Sequence, residues 1–220
     1  MSLSPDPLLR EVEEDLRRER YEKLWKKYGG AVIGAAVVVV LVVAGYKGWQ
    51  AYDQNAREEA GELFVQASDL AKTDTDTATR AFLDLSEHAP EGYAFLSQLR
   101  AAALYAEAND PEQAAKVYSH LEQTADHELH KDIAVLFRAF TLLNTSANTE
   151  RDDQDVSAIL EPLTAPGRPM RYSARELLAF AALARGDRKR ASEIFDELRE
   201  DPATPADMLQ RAEHFLTQIR

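Results

Sequence analysis

The chain has no cysteine at all. That excludes disulfides, a thiol nucleophile, thiolate metal or cluster ligation and acylation on sulfur, while permitting an oxidising compartment. Glycine is nearly as sparse where it would matter for chemistry. Of nine glycines, Gly29, Gly30, Gly34, Gly45 and Gly48 fall in one short stretch, and Gly61, Gly92, Gly167 and Gly186 are scattered singly. No glycine-rich loop remains to cradle a phosphate or a dinucleotide. A surplus of bases is also missing: 26 Lys and Arg stand against 38 Asp and Glu, a net charge of −12. Nucleic-acid phosphates require the opposite balance. Beyond position 50 the alternation of β-branched and polar residues that marks strands is almost absent.

What is present begins with one apolar rod. From Tyr28 to Tyr46, 19 consecutive residues carry no charge and are mostly Val, Ala, Gly and Leu. A core helix is usually shorter and keeps a polar face. A signal peptide has a short basic start and an apolar stretch of about 7 to 15 residues. Here seven acids and seven bases precede the run, and Val42-Val43-Ala44 matches a cleavage site only weakly. About 18 or more uncharged residues are what a bilayer crossing requires, and helix is the one conformation that satisfies a single span's backbone in lipid. The flanks agree with a span. Trp25 and Tyr28 precede the run, and Tyr46, Trp49 and Tyr52 follow it, where amphipathic rings favour the two membrane interfaces. Arg17, Arg18, Arg20, Lys23, Lys26 and Lys27 crowd the N-terminal side, against Lys47 and Arg57 after it. This asymmetry keeps the N-terminus in the cytoplasm. Gly30 and Gly34 form a candidate close-packing face for a second helix within the membrane.

The seven acids and seven bases before the run cancel, which leaves 31 acids and 19 bases after it. The entire net charge therefore belongs to the following domain. Its texture is helical, rich in Ala, Leu, Glu, Arg and Gln. One pattern recurs from Asp74, Asp110, Asp152 and Asp187: Asp, three residues, a small or branched apolar residue, three residues, a large apolar residue, two residues, Leu. The instances are DTDTATRAFLDL, DPEQAAKVYSHL, DDQDVSAILEPL and DRKRASEIFDEL. Each Asp is expected to cap a helix, with Pro111 at the favoured first position after Asp110. The three apolar positions share one face. Intervening helices are expected at about 92–108, 128–144, 171–185 and 206–219, with 56–72 opening the series. Pro90, Pro166, Pro169, Pro202 and Pro205 fall at the joints. The polar stretch from Asn144 to Asp155 is expected to be an inserted loop.

Paired helices repeating at 35 to 42 residues resemble the tetratricopeptide repeat, whose second helix carries Ala-x3-Phe; the Trp and Leu-Gly of its first helix are missing here. The expected fold is all-α: a charged helical tail over 1–27, a transmembrane helix over 28–46, and a right-handed tetratricopeptide-like solenoid of about four helix pairs over 47–220. Its concave groove is expected to be lined mainly by the first helix of each pair.

His127 and His130 lie three apart on one helix face, but this is not the zinc-protease spacing, and no cysteine or further histidine accompanies them. His88, His120 and His214 are isolated. No catalytic residue, metal ligand or cofactor site is expected, and the domain is expected not to be an enzyme.

The joining segment, LWKKYGGAVIGAAVVVVLVVAGYKGWQAYDQNAREEAGELFVQA, leads a Gly/Ala/Val span through an aromatic cluster into an Ala-rich helix. With the repeats, it resembles the YfgM-like family of bacterial inner-membrane proteins, ancillary subunits of the SecYEG translocon. That resemblance implies a periplasmic domain, partnership with the translocon and with periplasmic folding factors, and a part in handling newly exported chains. An interaction module for envelope assembly or division, without the translocon, shares the same architecture.

Overall fold

Every element of the structure, a computed structural model describing residues 7–146 and 156–219, is helical; no strand occurs among the described residues. Helix α1 spans Pro7–Leu70, α2 Thr75–His88, α3 Glu91–Glu107, α4 Pro111–Thr124 and α5 Glu128–Ser146. Then come α6 over Val156–Leu160, a 3-10 turn over Glu161–Thr164, α7 over Arg171–Ala184, α8 over Arg188–Glu200 and α9 over Ala206–Ile219. The chain divides into two compact units, Met1–Asn55 and Ala56–Arg220.

Among the described residues of the first unit, 7–55, the backbone is the single helix α1. From Tyr21 to Gln50 every residue except Gly29 is exposed, the valines and Leu41 included. Gly29 is covered by its own neighbour, the Trp25 ring, within 3.2 Å of where a Cβ would stand. A core helix would be buried; this one is long and apolar enough to cross a membrane, with 6% of its most apolar window covered. The expected opening helix at 56–72 is not separate from the apolar run. Nothing between Lys47 and Asn55 interrupts a helix except the lone Gly48, so α1 continues without a break to Leu70.

In the second unit each helix packs against its neighbour in sequence from α2 to α9. The recurrent pattern explains how. All twelve of its apolar residues are buried: Ala78, Phe82 and Leu85; Ala114, Tyr118 and Leu121; Val156, Leu160 and Leu163; Ala191, Phe195 and Leu198. They seed four successive clusters. The first joins α1, α2 and α3 through Ala67, Phe82 and Leu104, and the second joins α3, α4 and α5 through Phe95, Tyr118 and Ala134. The third joins α5, α6 and α7 through Val135, Leu160 and Ala174, and the fourth joins α7, α8 and α9 through Ala182, Phe195 and Leu216. Small residues permit the close approach and one large residue per repeat fills the space it leaves.

Three of the four expected caps form. Asp74 accepts from the Thr77 N–H at 3.0 Å, Asp110 from the Gln113 N–H at 3.1 Å, and Asp187 from the Arg190 N–H at 3.0 Å. Asp152 lies outside the described residues. The helix expected to follow it is short: α6 ends at Leu160 and the chain tightens into the 3-10 turn. Pro162 is the cause, since it has no N–H to donate and its ring collides with the preceding turn of an α-helix. Of the expected loop, Asn144 to Ser146 belong to the last turn of α5, and 147–155 lie outside the described residues.

The Asp74 cap carries a pH signature. The Thr77 N–H and hydroxyl hold its carboxyl below the usual range. A carboxyl lowered on folding stabilises above its unfolded pKa, and the contribution disappears as pH falls through the lowered value. The loss in urea midpoint caused by Asp74→Ala should therefore be constant from neutral pH to about pH 5 and shrink below about pH 4. An undiminished loss at about pH 2 would assign the effect to something other than the ionised cap.

Candidate interaction groove

Helix α3 reads EGYAFLSQLRAAALYAE, with apolar residues on more than one side. Phe95, Ala101, Ala102 and Leu104 turn into the clusters, while Leu96, Leu99, Arg100, Ala103 and Glu107 form a second stripe at helical spacing. Helix α5 does the same. Ala134, Val135 and Ala139 are buried, whereas Phe137, Phe140, Thr141, Asn144 and Thr145 align on another side. The two stripes face a shared groove of about 770 Å³, closed at one wall by Phe64 of α1 and floored by Tyr118 of α4. Leu96, Phe137 and Phe140 are 47%, 47% and 51% exposed. Three large apolar side chains so displayed along one groove are an unusual surface for a chain in which 29% of residues are charged.

The polar groups of the groove are few and mostly satisfied. Arg100 donates to Glu107 at 3.0 Å. The Thr141 hydroxyl donates to the Phe137 carbonyl at 2.9 Å and the Thr145 hydroxyl to the Thr141 carbonyl at 2.8 Å, so both are turned back on α5. Tyr118 is 2% exposed, and its ring stacks on Phe137 with centroids 5.9 Å apart. Burial pushes its phenol up to about 12, against a downward pull from Arg100. The arrangement can hold apolar side chains in a half-enclosed slot; it contains no nucleophile paired with a base.

Of the residues singled out in the sequence, Tyr118 and Pro111 of the second repeat and Asn144 line this groove, and the membrane-interface aromatics, the paired glycines and the histidines do not. Trp25, Tyr28, Tyr46, Trp49 and Tyr52 are exposed on α1, and a Cβ at Gly30 or Gly34 would meet nothing. His127 and His130 approach Glu91 of α3, with His127 Nε2 at 3.5 Å and His130 Nδ1 at 3.9 Å from the same oxygen, and His130 stacks on Phe95. Among the described residues no group of three such side chains is arranged to hold a metal ion. The groove residues had a signal in the sequence: a helix that is apolar on two sides needs two partners. The expected lining by the first helix of each pair corresponds to α1, α3 and α5, with α4 contributing the floor.

A family described as a tetratricopeptide repeat-like domain matches residues 22–151, more than half of the chain. No curated protein matches, and no solved structure matches.

Proposed function

The chain belongs to the tetratricopeptide repeat-like family, and from that premise we propose that it is a membrane-anchored, non-enzymatic interaction scaffold. The apolar stretch Tyr28–Tyr46 is an uncleaved anchor in a bacterial inner membrane, the tail before it is cytoplasmic, and the acidic domain after it is a right-handed solenoid at the periplasmic face. The proposed work is to hold segments of other proteins beside the Sec translocon, in company with periplasmic folding factors, as newly exported chains emerge.

The observation that carries the reading is the exposed apolar groove of Leu96, Phe137 and Phe140 in a chain that also exposes a whole membrane-length apolar helix. Repeat domains of this kind use such concave surfaces to bind polypeptide. The family match begins at Glu22, ahead of the apolar run, so the run lies within the stretch the family shares. An anchor also removes the need for tight binding, because tethering raises the local concentration at the export site to the millimolar range. The charge asymmetry of the flanks supports the orientation.

The test is brief crosslinking in the native cell, extraction in mild detergent and identification of what co-purifies. Translocon subunits with periplasmic folding factors are the expected partners, and Phe137→Asp/Phe140→Asp should lose the folding factors and client chains. Recovery of division or envelope-assembly proteins without translocon would keep the scaffold and overturn its assignment to export.

A further inference from the structure

Four arginines of the helical domain, Arg100, Arg138, Arg199 and Arg211, each meet a carboxylate within 3.0 Å. Ahead of the apolar run the cations stand differently. Arg17, Arg18 and Lys26 line a shallow cleft of about 650 Å³ on one side of α1, together with Tyr21, Glu22 and Trp25, and all six are exposed. Among the described residues the three cations make no ion pair, although Glu22 stands four residues from both Arg18 and Lys26, the spacing at which helix pairs form. The cleft therefore keeps three bases against one acid. Its indole also has a fixed seat. The Trp25 ring lies against Gly29, where a Cβ would stand 3.2 Å from two ring carbons. The bare glycine one turn on lets the ring lie along the helix toward the apolar run.

Resting on the reading of Tyr28–Tyr46 as a membrane anchor, we infer that this side of α1 is a docking site for the headgroup of an anionic phospholipid in the leaflet at the N-terminal end of the run, with Lys26 on the phosphate, Trp25 at the glycerol level and Arg17 and Arg18 drawing the lipid in.

The spacing along α1 suits that occupant. Lys26 and Trp25 precede Tyr28 by two and three residues, about 3 to 4.5 Å of helix, which places both within a headgroup layer about 5 to 7 Å deep. Arg18 is ten residues before Tyr28, about 15 Å, so it stands outside that layer by about one Debye length and acts through the field rather than by contact. A zwitterionic headgroup carries its own ammonium and gains little from surplus cations, whereas an anionic one is attracted by each Lys or Arg near the surface. The exposed rings of Tyr21 and Trp25 add amphipathic surface that favours the interface over bulk water. A second copy of this chain would bring the same cations to the same cleft and be repelled.

The experiment uses the full chain in phosphatidylcholine nanodiscs in which about one lipid in ten is brominated near the glycerol, either phosphatidylglycerol or phosphatidylcholine. The chain has two tryptophans, so Trp49→Phe leaves Trp25 as the fluorophore and Trp25→Phe leaves Trp49. Brominated phosphatidylglycerol should quench Trp25 at least about three-fold more than brominated phosphatidylcholine, and the two should quench Trp49 about equally. Arg18→Gln/Lys26→Gln should bring the Trp25 ratio close to one. Lys23 and Lys27 lie two residues either side of Trp25, about 160° round the helix from it, so Lys23→Gln/Lys27→Gln removes the same charge from the other side and should leave most of the preference. Equal quenching of Trp25 by the two lipids would overturn the site and leave the anchor standing. A preference that falls equally with either pair of substitutions would overturn the cleft as its source and assign it to diffuse charge. Quenching of neither tryptophan by either lipid would mean that α1 is not in the bilayer, and would remove the anchor itself.

Discussion

Replacing Phe195 with alanine should lower the unfolding free energy of the helical domain by about 3 to 5 kcal/mol. Phe195 is fully buried at the centre of the last cluster, between α7, α8 and α9. Its ring stacks on Phe215 at 5.5 Å and meets Phe180 edge-on at 5.7 Å. Four of the buried residues around it are alanines: Ala179, Ala182, Ala191 and Ala212. Alanine has no side chain that can swing into a void, so the cavity left by the ring stays open and the cost lies toward the upper end of that range. Urea unfolding followed by circular dichroism measures it. Phe195→Leu, which keeps most of the volume, should recover more than half of the loss. A loss below about 1.5 kcal/mol for the alanine variant would mean that the helices close over the void, and that the one-large-residue-per-repeat account of the packing is wrong.

That account is legible in the sequence because it depends on local spacing alone. Three apolar residues at fixed steps after an Asp specify both where a helix starts and which side faces inward, and the caps at Asp74, Asp110 and Asp187 formed as spaced. What local spacing could not supply were features set by absence or by distance. The continuity of α1 from the apolar run to Leu70 follows from the lack of any breaker but the lone Gly48 between Lys47 and Asn55, which periodicity does not register. The shortness of α6 was written in Pro162 but masked by Leu160 and Leu163 keeping their places in the pattern. The groove demanded knowing that the second apolar sides of α3 and α5 face one another, a juxtaposition of residues about forty apart.

The same holds for the ionic staple that governs the second large effect. Arg168 lies between the 3-10 turn and α7, where Gly167, at φ +89°, lets the chain reverse in a conformation that a side chain disfavours. Its guanidinium reaches Glu128 and Asp132 of α5. Asp132 is completely buried, and its second carboxylate oxygen has no partner among the described residues. Arg168→Ala should therefore destabilise the domain by about 3 to 5 kcal/mol, because it leaves a charge in the interior with nothing to offset its lost hydration. The pair as a whole is worth far less than that figure. Asp132→Leu with Arg168→Met removes both charges at similar volume, satisfies the orphan oxygen by deleting it, and should return the urea midpoint to near the starting value or above it. If the double variant is as unstable as Arg168→Ala, the coupling is not electrostatic and the side chains matter through their packing. If it recovers, the staple's value lies in where it fixes the loop before α7 against α5, the helix that presents Phe137 and Phe140 to the groove. Capture of client chains by the double variant in the crosslinking experiment then reports that function apart from stability: a stable domain that captures fewer of them would make the ion pair a positioning device for the groove wall.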